Sequence, residues 1–245
     1  MIRLHRELLN EETRSFLEAR AQKVLTSEDR RVEALRLWEL QDNKAFQEVR
    51  ATLKAMAAGL ERCMYCEDSA GTDIEHFWPK AAYPEKAFSW TNYLLACSSC
   101  NSNHKREKFP LDAAGVPLLI DPTAEEPRDH LALSPSTGEY RARTLKGERS
   151  IEVFGLYRDI LEKGRRDAWV RIPGMLRHYD EACTEGDWRH ALDVQRTICR
   201  SPFASVFARF IEIATGPLAA TFIKANSLTN CLAILEKYPD IKDWL

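Results

Sequence analysis

Cys63-Met64-Tyr65-Cys66 and Cys97-Ser98-Ser99-Cys100 are two Cys-x-x-Cys pairs separated by thirty residues, and they decide how the chain is read. A two-residue gap lets both sulfurs of a pair reach one ion at about 2.3 Å, and two pairs complete a tetrahedral four-sulfur site suited to Zn²⁺. Four thiolates leave no open position for a substrate. The zinc is therefore structural, a staple for a segment too small to hold itself by packing. A redox role would need only one pair in a thioredoxin-like setting. Seven cysteines are too many by one for a fully paired disulfide framework. Cys183, Cys199 and Cys231 fall in helical stretches and read as small buried hydrophobes.

Inside the loop closed by these pairs lie Ile74-Glu75-His76-Phe77-Trp78-Pro79-Lys80 and Trp90-Thr91-Asn92-Tyr93-Leu94-Leu95, with Asn101 directly after the last cysteine. His76, Asn92 and Asn101, in this order and flanked by the two pairs, resemble the motif of HNH endonucleases, the ββα-metal fold. Asn101 replaces the final His of the family's name, and Glu75 stands where the family more often has Asp. Hydrolysing a phosphodiester needs a base to activate water, a cation on the phosphate oxygens, and a brace for the base. His76 is the candidate base, because imidazole is largely neutral near pH 7. A hard cation, Mg²⁺ or Mn²⁺, takes oxygen ligands, which makes Glu75 and Asn101 the candidate ligands. A helix over Ser98–Lys108, ended by Pro110, would set Asn101, His104 and Lys105 on one face at i, i+3 and i+4. His104 would then be a third ligand and Lys105 a phosphate contact. The resemblance assigns Asn92 to bracing the loop that carries the base. Trp78, Phe88 and Trp90 read as core of the small module, with base stacking as the alternative for exposed aromatics.

The match widens in Cys-x-Tyr-Cys-Glu, Ile-Glu-His-Phe-x-Pro-Lys, Trp-x-Asn, Ala-Cys-x-x-Cys-Asn, the Ile120-Asp121-Pro122 turn, and Ser150-Ile151 through Gly155-Leu156 with Leu161 and Arg165. Over about residues 60 to 170 the chain is similar to the PtuB family, the HNH subunits of Septu-type and retron-associated anti-phage systems. That resemblance implies a defence nuclease restrained until infection, a PtuA-like ABC-type ATPase as partner, and helical flanks as docking surfaces. DNA is the favoured substrate, with RNA such as tRNA an alternative. A different class also fits, a non-catalytic zinc-stapled adaptor that binds nucleic acid or protein. His76 discriminates the two, since an adaptor has no need of an imidazole beside a carboxylate in a zinc-closed loop. An HNH restriction or repair enzyme competes only with the defence assignment.

Outward from this module, residues 1–60 carry apolar residues near a 3.6 period, among them Leu35, Trp38, Phe46, Val49, Leu53 and Met56. Ser27-Glu28-Asp29 marks a helix start. The module spans 61–112. Residues 113–149 are rich in Pro and Gly and read as a connection with a short hairpin near Ser136-Thr137-Gly138. Helical periodicity returns over 150–245. The expected fold is mainly α with one embedded ββα-metal module.

Lys plus Arg total 35 and Asp plus Glu 37, so a wholesale polycation is excluded and any phosphate-binding surface is local. Cys63–Pro110 holds five basic against six acidic residues, whereas 141–171 holds nine against five. Arg158, Arg165 and Arg166 in the latter stretch are candidate nucleic-acid contacts, a solvated helix face with internal ion pairs being the alternative. No phosphate-cradling Gly-x-x-x-x-Gly-Lys-Ser loop occurs, so ATP would enter through the partner. His5, His130, His178 and His190 have no ligand-type neighbours in sequence and read as surface or core residues. With no long apolar run and a charged N-terminus, neither membrane span nor signal peptide is expected and the address is cytoplasmic. Helical flanks larger than a minimal nuclease needs suggest assembly with a partner or a second copy.

Overall fold

Three amphipathic helices lead into the stapled segment. They are α1 (Glu11–Thr26), α2 (Arg30–Trp38) and α3 (Lys44–Met56), capped by side chains of Asn10, Asp29 and Asn43 that accept from the backbone N–H three residues on. The start marked by Ser27-Glu28-Asp29 thus resolves to Asp29 as the capping residue. On α3 the buried face is Phe46, Val49, Leu53 and Met56, with the first three at 0% exposure. Burial of each contributes roughly 1.5–3 kcal/mol. Arg20 on α1 donates to the carbonyls of Leu37 and Leu40 at 2.6 and 2.8 Å, closing the end of α2 and fixing Trp38 in place. Residues 1–244 are described by a computed structural model; Leu245, the last residue of the expected C-terminal helical stretch, lies outside them.

The stapled segment supplies a two-stranded antiparallel sheet, β1 (Asp73–His76) and β2 (Tyr93–Ala96), in which Glu75 faces Leu94 and His76 faces Tyr93. β2 is buried along its length, as its run of apolar residues requires. After β2 comes a seven-residue π-helix, Ser99–Lys105. Backbone bonds from Asn103 to Ser98 and from Arg106 to Asn101, at 3.0 and 2.7 Å, span five residues instead of four.

A second hairpin, β3 (Leu131–Leu133) with β4 (Tyr140–Ala142), turns at Gly138, whose φ of +74° favours glycine. The remaining chain is helical among the described residues: α4 (Leu145–Val153), α5 (Asp159–Thr184), α6 (Trp188–Arg200), α7 (Ala204–Ala214), α8 (Ala219–Phe222) and α9 (Ala225–Lys237). Pro173 sits within the 26-residue α5 without ending it. One continuous apolar core runs from Met1 and α1, through Tyr65 and β2, to α7 and Ile241. Buried Glu67, directly after the first cysteine pair, ties that pair to Met1 and to the start of α7. Its carboxylate accepts from the Met1 amine at 2.9 Å and from the hydroxyl of Ser205, while its carbonyl accepts from Phe203 at 3.0 Å. Among the described residues no helix is long and apolar enough to cross a membrane.

Candidate metal centre and active site

The sulfurs of Cys63, Cys66, Cys97 and Cys100 lie within 4.8 Å of one another, and all four residues are buried. Among the described residues this is the one group of three or more His, Cys, Asp or Glu ligand atoms arranged for an ion. Cys66 and Cys97 are 3.8 Å apart sulfur to sulfur. That is far too long for a disulfide and close to the roughly 3.8 Å edge of a tetrahedron with 2.3 Å metal–sulfur bonds. The four cysteines could thus hold a metal such as zinc. Met64 donates to the Leu95 carbonyl at 2.8 Å, which fastens the first pair to β2, and the second pair follows β2 directly. Arg158 donates from Nη2 to Cys100 Sγ at 3.1 Å, placing a cation against the cysteine cluster.

Alternation along β1 turns Asp73 and Glu75 toward the π-helix and His76 the other way. On the π-helix side, Lys105 Nζ meets Glu75 Oε1 at 2.5 Å and donates to the His76 carbonyl at 2.9 Å. Both side chains are sealed off, at 1% and 5% exposure. Burial pushes the Glu75 carboxyl above its ordinary range, and the Lys105 and Lys80 charges offset this in part. Asn101 donates to Asp73 Oδ2 at 3.1 Å. Glu75 and Asn101 therefore lie along one strip of strand and helix. Their oxygen donors suit a hard cation, but the Glu75 carboxylate already has Lys105 as its positive partner.

His76 occupies the opposite side. Its Nε2 is 2.9 Å from the Ala87 carbonyl, a contact that requires the proton on Nε2 and leaves Nδ1 with the lone pair. Its ring packs against Trp38 at 4.1 Å between centroids and against Tyr93 at 5.3 Å, and the residue is only 5% exposed. Burial, with Lys80 and Lys105 nearby, holds the imidazole down at about 3, so it is neutral near pH 7. Asn92, also buried, accepts from Trp78 N at 2.7 Å and donates to the carbonyls of Trp78 and Lys86 at 3.0 Å each. It thus closes the 77–92 loop under His76. Trp78 packs against Tyr83 and Phe109, and Phe88 is buried beside Trp38.

Three expectations depart from this arrangement. The wider turn of the π-helix separates His104 from Lys105 and Asn101. His104 packs on the Gly155–Tyr157 turn, where a Cβ on Gly155 would lie 2.5 Å from its ring, so it does not join Glu75. Lys105 is fully buried in the Glu75 pair, so it is no surface phosphate contact. Arg165 is 1% exposed and donates to the carbonyls of Gly138 and Leu156 at 2.7 Å each, so its guanidinium is spent inside the fold on the hairpin and the turn. Arg166 is exposed and Arg158 half-buried. Lys146, Arg149 and Lys163 are in ion pairs with Glu125, Glu152 and Asp159. The basic stretch is therefore in part a set of internal pairs. Sequence reasoning misses Trp38 as a site residue, because it reads as helix core; Glu67 and Lys80 close two of the matching motifs, but nothing in the sequence gives them a role.

A buried cluster of four cysteines next to an antiparallel strand pair, a π-helix and a neutral histidine defines a mainly α-helical protein with a candidate metal centre. No family model matches the chain, and no solved structure matches it. It is similar to the Septu protein PtuB of Bacillus mycoides (strain KBAB4), 34% identical over 150 residues, which cover 49% of this chain and 50% of that relative. It is also similar to the Septu protein PtuB of Bacillus thuringiensis, 30% identical over 103 residues, covering 39% of this chain and 36% of that relative. The matched region spans about half the length of these curated relatives or less.

Proposed function

We propose that the chain is an HNH-type endonuclease, a phosphodiester hydrolase acting in a Septu-type anti-phage system and gated by a PtuA-like ABC-type ATPase. The observation that carries the reading is His76: neutral, with its tautomer set by Ala87 and its loop braced by Asn92, inside a segment closed by four convergent cysteines. With Nε2 engaged, Nδ1 is the atom that takes a proton from water attacking phosphorus. Asn92 holds the loop so that Nδ1 keeps its direction. Zn²⁺ in the cysteine cluster has a structural role. Glu75 and Asn101 would hold Mg²⁺ or Mn²⁺, which supplies charge stabilisation at the phosphate oxygens. Lys105 must then yield the Glu75 carboxylate, and Trp38 must uncover the imidazole.

Those two requirements support a restrained resting state, in keeping with gating by a partner. As buried here the imidazole is a weak base; uncovering it beside an anionic phosphate raises its basicity toward the useful range. Similarity to two proteins named Septu protein PtuB supports the defence role and the ATPase partner. The same burial also favours a second reading, a non-catalytic zinc-stapled adaptor. A mixed pool of plasmid DNA and tRNA, incubated with Mg²⁺ or Mn²⁺ and with the chain alone or with its ATPase, separates the two. The nuclease cuts one polymer, DNA being expected, and leaves 5′-phosphate ends; an adaptor leaves both intact under every condition.

A further inference from the structure

His178 and His190, twelve residues apart in sequence, face each other across the α5–α6 hairpin. Their Nε2 atoms are 2.8 Å apart, with ring centroids at 4.7 Å and planes at 62°. The backbone enforces this meeting. Gly186, at φ +76°, follows α5, and Asp187 donates to the Ala182 carbonyl at 3.0 Å, a closure that turns the chain back over residues 185–187. Asp187 then caps α6 by accepting from His190 N at 3.0 Å. Beneath the imidazoles the two helices meet through buried Ala182, Cys183 and Ala191, whose small side chains let the helix axes approach closely.

We propose that His178 and His190 form a transition-metal site, separate from the cysteine cluster, for a late first-row ion that takes imidazole nitrogen, with Ni²⁺ or Cu²⁺ as the geometric fit. Metal–nitrogen bonds of about 2.0–2.1 Å put neighbouring ligands of a tetragonal ion about 2.9 Å apart, against about 3.3 Å for a tetrahedral one. The pair stands at the first of these spacings. In the metal-free contact one Nε2 carries a proton that points at the other's lone pair. When the ion binds, the ring that donated moves its proton from Nε2 to Nδ1, so both imidazoles stay neutral and each gives an Nε2 lone pair to the metal. Among the described residues no third His, Cys, Asp or Glu completes the set. Water fills the remaining positions, and affinity is correspondingly lower than at the four thiolates.

The test is a Ni²⁺ titration of the zinc-loaded full chain by calorimetry, with zinc and nickel content measured in the same sample. The expected result is saturable uptake of one Ni²⁺ per chain with zinc unchanged, weakened at least about tenfold by His178→Ala and by His190→Ala separately and unaffected by His5→Ala. All three residues are exposed, so the variants keep the parent melting temperature. Absent uptake, uptake that survives either single substitution, or nickel gained only as zinc is lost overturns the assignment.

Discussion

Lys105 and Glu75 form a sealed ion pair, so removing either partner leaves an uncompensated charge in the interior. With side-chain exposures of 1% and 5%, solvent screening does little to soften that cost. Lys105→Met keeps most of the volume but strips the partner from Glu75 and the donor from the His76 carbonyl. A lost partner in a buried pair costs about 3–5 kcal/mol, a range that already includes stranding the other charge. Glu75→Gln strands the Lys105 ammonium and falls in the same range. The double variant strands neither charge, so its loss is smaller than the sum of the single losses by about 2 kcal/mol or more. Urea unfolding of the zinc-loaded parent, both single variants and the double variant closes the cycle, provided the urea dependence stays constant across the four. Additive losses, or single losses below about 1 kcal/mol, would show that the pair is solvated and refute the reasoning.

The imidazole of His76 titrates at about 3 in the fold and near 6.5 in an unfolded chain, so below 6.5 the unfolded state binds the extra proton and stability falls as pH drops toward 3. Between pH 7.5 and 5.0 this amounts to roughly 2 kcal/mol, read as the difference in pH dependence between wild type and His76→Asn in urea melts; identical pH dependence would contradict the burial of His76. Asn92→Ala leaves Trp78 N and Trp78 O without their partner, takes one of two donors from Lys86 O, and is expected to cost about 2–4 kcal/mol in the same melts. Chelation of the bound ion, or Cys97→Ser, is expected to unfold residues 61–112 as seen by circular dichroism and proteolysis, and unchanged protease resistance would mean the cysteines hold no structural metal. Trp38→Ala opens the cover over His76, so modification of that residue by diethyl pyrocarbonate should accelerate at least severalfold; an unchanged rate would mean that another group shields the ring.

How far the sequence can be read follows from the range of each interaction. Cysteine convergence is legible because a two-residue gap leaves one way for both sulfurs of a pair to meet an ion. The stripe of Phe46, Val49, Leu53 and Met56 is legible because a 3.6 period has one apolar face. The π-helix is not: nothing in Ser99–Lys105 separates a four-residue from a five-residue backbone bond, yet that choice swings His104 onto the Gly155 turn. Lys105 and Arg165 read as solvent cations, because their partners are a carboxylate thirty residues upstream and two carbonyls at chain turns. Trp38 over His76, and His178 against His190, are contacts that only packed helices create. Proline usually ends a helix, but α5 runs through Pro173, its course set by buried Trp169, Ile172 and Leu176 on the core side.

The most direct measurement is cleavage by wild type and His76→Ala, each purified with the proposed PtuA-like ATPase, in Mg²⁺ or Mn²⁺, with bound zinc quantified in both. A His76-centred nuclease loses at least about a hundredfold in cleavage on substitution while keeping its zinc. Equal cleavage by both zinc-loaded proteins would remove His76 from the chemistry, and no cleavage by either would leave the chain a thiolate-stapled adaptor.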